Sequence, residues 1–126
     1  SRGCPGMKIL KCNNDIHFEN FEAYSEEESV VGSWIDGKPI YRKVMSLTIQ
    51  EAHKETNFPI FQIDHMVKMQ CIVKQAIGNY VCVPYWASSS DYAQLWYRTS
   101  ESKLVAKCSE ANWIYTVVVE YTKLTN

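Results

Sequence analysis

Residues 113–122 read WIYTVVVEYT, and this stretch decides the fold class. Aromatic and branched aliphatic side chains recur at every second position of it. Successive side chains of an extended chain point to opposite faces, so a period of two is typical of a strand that buries one face. Valine and tyrosine also favour extended backbone. We therefore predict the clearest strand of the chain here.

The period of two continues upstream as far as Val30. Residues 40–49, 67–74 and 104–108 each place apolar side chains mainly on one face. Strands do not alternate with helices along the sequence, so a parallel sheet is not indicated. About seven short strands separated by turn signals predict an all-β domain over residues 30–126, an antiparallel β-sandwich that is jelly-roll-like.

Two turn signals separate the predicted strands. The pair Asp36-Gly37 lies between apolar flanks. Because glycine adopts a positive φ without steric cost, this pair predicts a tight hairpin. Residues 80–86 and 92–98 flank residues 87–91, a polar loop that suits a second hairpin tip.

Two segments depart from the alternation. Residues 1–29 are polar and irregular, and we interpret them as an N-terminal arm or linker with one short strand near residues 8–10. Residues 48–55 are predicted to be helical, because Thr48 and Glu51 have the spacing of a capping box.

Composition limits the classes of function. The chain has 126 residues, of which 13 are basic and 14 acidic, for a net charge of −1. A chain of this size buries about two thirds of the surface that its unfolded form exposes, so one domain with a sizeable core is expected. The charge is balanced and forms no dense basic patch, and no apolar run reaches the roughly 18 residues of a membrane span. We expect no nucleic-acid partner and no membrane insertion.

The sequence contains no recognised catalytic or metal-binding pattern. Its five cysteines form no C-x-x-C pair, its three histidines have no ligand spacing, and phosphate loops and nucleophile elbows are missing. The acidic run at residues 26–28 is interpreted as a solvated charge run. Cys71 lies among apolar residues, so we interpret the cysteines as reduced and structural, with one disulfide as the alternative. We predict no enzyme activity, no cofactor and no metal site.

Aromatic residues concentrate around the serine-rich loop at residues 87–91. Tyr and Trp combine a flat apolar face with a polar group, which suits recognition of sugars or protein surfaces. Alternation places Tyr85 on the core side and places Tyr92 and Trp96 on a side that is exposed or interfacial. Core packing or subunit contact is the alternative role of these rings. The candidate ligand-binding residues are Tyr85, Trp86, Ser88, Ser89, Asp91, Tyr92 and Trp96.

Two further stretches carry a family resemblance. Residues 24–43 read YSEEESVVGSWIDGKPIYRK, and residues 119–123 read VEYTK. The first resembles the Y-S-x-x-E-x-x-V-G-x-W-I-D-G-K-P-I-Y-x-K segment that opens small C-terminal β domains of tail-fibre and related virion proteins of bacteriophages. The second is similar to the closing strand of those domains, which often ends in Y-T-K.

The resemblance implies a structural virion protein, made in the host cytoplasm and exposed on the particle as the tip of a fibre or spike. It implies a homotrimer and contacts with other virion proteins. We further hypothesise that the hairpin from Tyr85 to Trp96 attaches to a host-surface glycan through ring stacking. The family pattern defines no catalytic residues, so none are assigned. A trimerisation cap, a head fibre or a tail adaptor without a ligand is the first alternative, and an unrelated carbohydrate-binding module is the second.

Overall fold

The computed structural model describes residues 24–58 and 62–124, together with two short strands nearer the N-terminus. These two strands, β1 (Ile9–Cys12) and β2 (Asp15–Phe18), pair with each other in antiparallel fashion. Strand β1 overlaps the region in which the sequence predicts a short strand.

The larger sheet has five strands in the order β3-β4-β11-β6-β7, and all its pairings are antiparallel. Its strands are β3 (Ser29–Ser33), β4 (Pro39–Thr48), β6 (Ile63–Lys74), β7 (Tyr80–Cys82) and β11 (Ile114–Lys123). The smaller sheet has four strands in the order β5-β10-β9-β8, again antiparallel. Its strands are β5 (Thr56–Phe58), β8 (Tyr85–Ser88), β9 (Asp91–Arg98) and β10 (Lys103–Cys108).

The core lies between the two sheets, and β11 is the central strand of the larger one. Alternate side chains of β11 are fully buried, as the period of two predicts: Tyr115, Val117, Val119 and Tyr121. The smaller sheet contributes a second buried set: Phe58, Ala93, Leu104, Ala106 and Cys108. The predicted all-β antiparallel sandwich is thereby confirmed.

Helical backbone is scarce in the part of the chain that the structure describes. A 3₁₀ turn at Thr99–Glu101 precedes β10. Among residues 24–58 and 62–124, no helix has the length and apolar character that a membrane crossing requires.

The predicted hairpin at Asp36 and Gly37 is confirmed. The Gly37 N–H donates to the Trp34 carbonyl at 2.9 Å, and the Trp34 N–H donates to the Lys38 carbonyl at 2.8 Å. Asp36 Oδ1 accepts the Lys38 N–H at 3.0 Å and closes the turn from its side chain. Gly37 has a φ of 89°, in the left-handed region where a Cβ atom is unfavourable.

Replacing Gly37 with alanine is expected to lower the free energy of unfolding by about 1 kcal/mol or more, because an L-residue is strained at this φ. Chemical denaturation measures the loss. Gly32→Ala is the matched control, since the space around Gly32 is open and its φ lies outside the left-handed region. Equal effects of the two substitutions would contradict the strain argument.

The helix predicted for residues 48–55 is wrong. Thr48 ends β4, and Ile49 extends the pairing through bonds with Trp113 and Asn112. His53 then turns the chain with a φ of 61°, and its N–H donates to the Cys108 carbonyl at 2.7 Å. A helix of eight residues forms too few internal hydrogen bonds to offset its nucleation, whereas neighbouring strands satisfy these backbone groups directly.

The segment 80–86, which the sequence presents as one run before the loop, is divided between the two sheets. β7 pairs with β6 in the larger sheet, and β8 pairs with β9 in the smaller sheet. The chain crosses between the sheets at Val83-Pro84, whose peptide bond is cis. The hairpin tip is also shorter than predicted: Ser88 pairs with Asp91, so the turn consists of residues 89–90.

Candidate functional site

The predicted ligand-binding residues lie on opposite faces of the β8–β9 hairpin. Tyr85 pairs with Ala93, and Trp86 pairs with Tyr92. Residues that pair directly share one face of a sheet. Ala93 is in the core, so Tyr85 faces inward and the Trp86–Tyr92 pair faces outward.

The outward group forms a surface that we call the outer aromatic surface, consisting of His53, Trp86, Tyr92 and Trp96. The rings of Trp86 and Tyr92 stack with centroids 5.1 Å apart and planes at 28°. The Tyr92 hydroxyl lies 2.8 Å from His53 Nδ1. Trp86 remains 61% exposed. A large apolar ring is therefore held in place by a buried neighbour while its own outer face is open to a partner.

Tyr92 corrects one expectation, since alternation places it on the exposed or interfacial side and the structure leaves only 5% of it exposed. The prediction of its face is right, but Trp86 stacks on the ring and His53 contacts the hydroxyl. His53 belongs to the connection between β4 and β5, far from the hairpin in sequence. The residue pattern of the hairpin does not indicate that His53 covers part of Tyr92.

Trp96 lies farther along β9 and is half-buried. It pairs with Val105 of β10, so the two side chains share the outer face of the sheet. Leu104 and Ala106 face the core, but Val105 is also fully buried. The Arg98 guanidinium lies 5.8 Å from the centre of the Trp96 ring. Trp96 is therefore more embedded than Trp86, so packing accounts for more of its role.

An ion pair borders the outer aromatic surface. Arg98 donates two hydrogen bonds to the Glu55 carboxylate, at 2.9 and 3.1 Å. These bonds hold the pKa of Glu55 below its ordinary value and raise the pKa of Arg98. Both groups stay charged at neutral pH and are able to bind polar groups of a ligand at the edge of the rings.

The inward group consists of Tyr85 and Asp91. The Tyr85 hydroxyl donates to Asp91 Oδ2 at 2.9 Å, and this bond is the main reason why the pKa of Tyr85 is raised. The Asp91 side chain therefore lies at one end of the sandwich and not on the outer aromatic surface. The sequence analysis groups Tyr85 and Asp91 with Trp86 and Tyr92 in one candidate site, whereas the pleat of the hairpin places the two pairs on opposite faces.

The serines shape the tip of the hairpin. Ser88 Oγ accepts the Ser90 N–H at 3.2 Å and lies 3.2 Å from Ser90 Oγ. Ser89 is exposed at the turn. Ser88 is therefore engaged in the turn itself, while Ser89 is accessible.

A cleft that we call the loop cleft adjoins the inward group at one end of the sandwich. Three connections enclose it: residues 75–77, the hairpin tip, and residues 110–113. Sequence reasoning did not single out Gln75, Glu110 and Trp113 as site residues, because they lie in separate turns and only the closed sandwich brings them together. The lining residues are Gln75, Ala76, Ile77, Ser90, Asp91, Glu110 and Trp113.

The thiols of Cys71, Cys82 and Cys108 are free, and those of Cys71 and Cys108 are buried. Burial raises the pKa of Cys71 to about 12 and is also the main cause of the raised pKa of Cys108. A protonated thiol is a weak nucleophile. Within the described residues, no three His, Cys, Asp or Glu side chains are grouped to hold a metal ion. The expectation for the thiols of Cys4 and Cys12 lies outside what the structure describes.

The two stretches that carry the family resemblance contact each other. Glu28 accepts hydrogen bonds from the Tyr121 hydroxyl and from the Lys123 ammonium. Lys123 Nζ also lies 4.3 Å from the centre of the Tyr41 ring. Burial, followed by the bond to Glu28, raises the pKa of Tyr121. These residues hold the segment before β3 against the end of β11, so their contacts are architectural.

Comparison with protein-family models, curated proteins and solved structures finds no match to this chain. The structure defines a class of protein: an antiparallel β-sandwich with an outward aromatic surface on its smaller sheet and a polar cleft at one end.

Proposed function

We propose that this chain is a structural domain of a bacteriophage virion, at the tip of a tail fibre or spike, and that it attaches to a host-surface glycan. The observation that carries the proposal is the exposed ring of Trp86, stacked on the buried ring of Tyr92. A sugar ring presents C–H groups on one face, and an ordered indole is a suitable partner for it. The family resemblance of residues 24–43 supports the virion assignment.

A homotrimer and contacts with other virion proteins belong to the same proposal. β3 forms one edge of the larger sheet, and all its residues are exposed, including Val30 and Val31. An exposed edge strand offers backbone groups and apolar side chains that a second copy is able to cover. Three linked copies would raise the apparent affinity of a weak sugar site by about a hundredfold or more.

Replacing Trp86 with alanine is expected to weaken binding to host envelopes by about tenfold or more, because truncating a central Trp of an interface typically costs at least about 2 kcal/mol. The free energy of unfolding should fall by only about 1 kcal/mol, the value of one ring stack. Pull-down with purified envelopes measures the binding, and chemical denaturation measures the stability.

Tyr80→Ala is the matched control for this substitution. Tyr80 is an exposed aromatic residue on β7 of the other sheet, away from the β8–β9 hairpin. We expect its removal to leave envelope binding unchanged. Unchanged binding of the Trp86 variant, or equal losses in both variants, would rule out the outer aromatic surface as the attachment site.

The second candidate function keeps the virion but assigns the outer aromatic surface to a contact between subunits. The exposure of Trp86 in a single chain supports a subunit contact as well as it supports glycan attachment, because a neighbouring subunit would cover this ring. Sedimentation of the Trp86→Ala variant separates the two functions. Loss of the oligomer indicates a subunit contact, and an intact oligomer that no longer binds envelopes indicates attachment.

A further inference from the structure

The loop cleft has the size of a small-molecule site. Its volume is about 330 Å³, and ligand pockets commonly measure about 300–1,000 Å³. The cleft lies beside the Tyr85–Asp91 hydrogen bond and not beside Trp86, so it is separate from the outer aromatic surface.

The lining of the cleft carries groups that bind hydroxyl and ammonium donors. Asp91 and Glu110 contribute carboxylates, Ser90 contributes a hydroxyl, and no Lys or Arg is among the lining residues that the structure describes. Asp91 uses one oxygen to accept from Tyr85, and a carboxylate has further acceptor positions after one bond. The cleft is thus negatively charged and has spare acceptors.

Two buried polar residues complete the wall. Gln75 is 8% exposed, and its amide lies near enough to the Tyr85 hydroxyl to oppose the rise in the pKa of Tyr85, which leaves part of the amide for another partner. Trp113 is 3% exposed, and its indole N–H has no acceptor among residues 24–58 and 62–124. A buried donor without a protein acceptor normally pairs with a water molecule or a ligand oxygen.

We propose that the loop cleft binds one hexose-sized sugar unit, with an amine-bearing sugar bound most tightly, a neutral sugar less tightly, and a carboxylate-bearing sugar rejected. The choice of sugars as the ligand class rests on the proposed glycan attachment. The order of preference follows from the lining: two carboxylates attract an ammonium group, accept hydrogen bonds from neutral hydroxyls, and repel a third carboxylate.

The indole N–H signals of the protein offer a direct test by ¹H–¹⁵N NMR. The chain has 4 tryptophans, so Trp113 reports on the cleft while Trp86 reports on the outer aromatic surface. Each signal is assigned from a Trp→Phe variant. The probes are glucosamine, glucose and glucuronate, titrated separately at a pH of about 6.5, where the sugar amine is protonated.

Glucosamine is expected to shift the Trp113 signal in a saturable manner, glucose to shift it at higher concentration, and glucuronate to leave it unchanged. In Glu110→Gln the affinity for glucosamine should fall by about two- to fivefold, as expected for loss of one solvated charge pair. Glu51→Gln is the matched control, because Glu51 is an exposed carboxylate outside the cleft. Glu110 is exposed, so we expect its glutamine variant to fold normally.

Three outcomes would overturn the proposal. A shift of Trp86 without a shift of Trp113 would place sugar binding on the outer aromatic surface alone and leave the proposed function intact. Binding of glucuronate as tight as that of glucosamine would contradict the charge argument. A Trp113 signal that no probe shifts would remove the cleft as a sugar site, while envelope binding by the Trp86 variant tests the proposed function independently.

Discussion

Replacing Arg42 with methionine is expected to lower the free energy of unfolding by about 3 kcal/mol, because it leaves the Glu120 carboxylate buried without its partner. Arg42 Nε and Nη2 donate to Glu120 Oε2 at 2.9 and 2.7 Å. The two side chains are 6% and 12% exposed. We expect the lower end of the range for a broken buried pair, since Lys68 lies opposite Glu120 on β6 and supplies a nearby positive charge.

The double variant Arg42→Met/Glu120→Leu is the control for this prediction. Replacing both charges with apolar side chains removes the desolvation penalty along with the attraction, so most of the lost stability should return. Urea denaturation followed by tryptophan fluorescence measures all three proteins. Equal losses in the single and double variants would show that the ion pair itself is not responsible.

Replacing Leu104 with alanine is expected to destabilise the protein by about 3 kcal/mol, the usual loss for a large-to-small substitution in a packed core. Leu104 is fully buried on β10, between Tyr97 of β9 and Phe58 of β5. The cavity would lie directly behind the sheet that carries the outer aromatic surface. Thermal and urea unfolding measure the loss.

Leu124→Ala is the matched control, because Leu124 is an exposed leucine just after β11. Its removal should change the free energy of unfolding by less than about 0.5 kcal/mol. A loss for Leu104→Ala no larger than that of Leu124→Ala would mean that β10 is not packed against the larger sheet as the structure has it.

The fold class was predictable because its signals are local. The period of two on β11 and the Asp36-Gly37 turn each arise within a few residues, and both are confirmed. The helix at residues 48–55 failed for the opposite reason. Its capping-box spacing is a weak local preference, and pairing of Ile49 with Trp113 and of His53 with Cys108 outweighs it.

The candidate site was predictable only in part. Alternation correctly assigns Tyr85 to the inner side and Tyr92 to the outer side, since the pleat of a strand determines both. It does not predict that His53 contacts Tyr92, nor that Glu110 and Trp113 lie beside Asp91 in a cleft. Those contacts join turns that are far apart in sequence.

The residue order alone determined that β11 is extended, which of its side chains share a face, and where the Asp36-Gly37 turn lies, because each of these depends on neighbouring residues. The tertiary structure alone decided that β11 lies between β4 and β6, that residues 80–86 pass from one sheet to the other, and which rings remain exposed. These features depend on the competition among all strands for hydrogen-bond partners and for a place in one shared core, and no single segment contains that information.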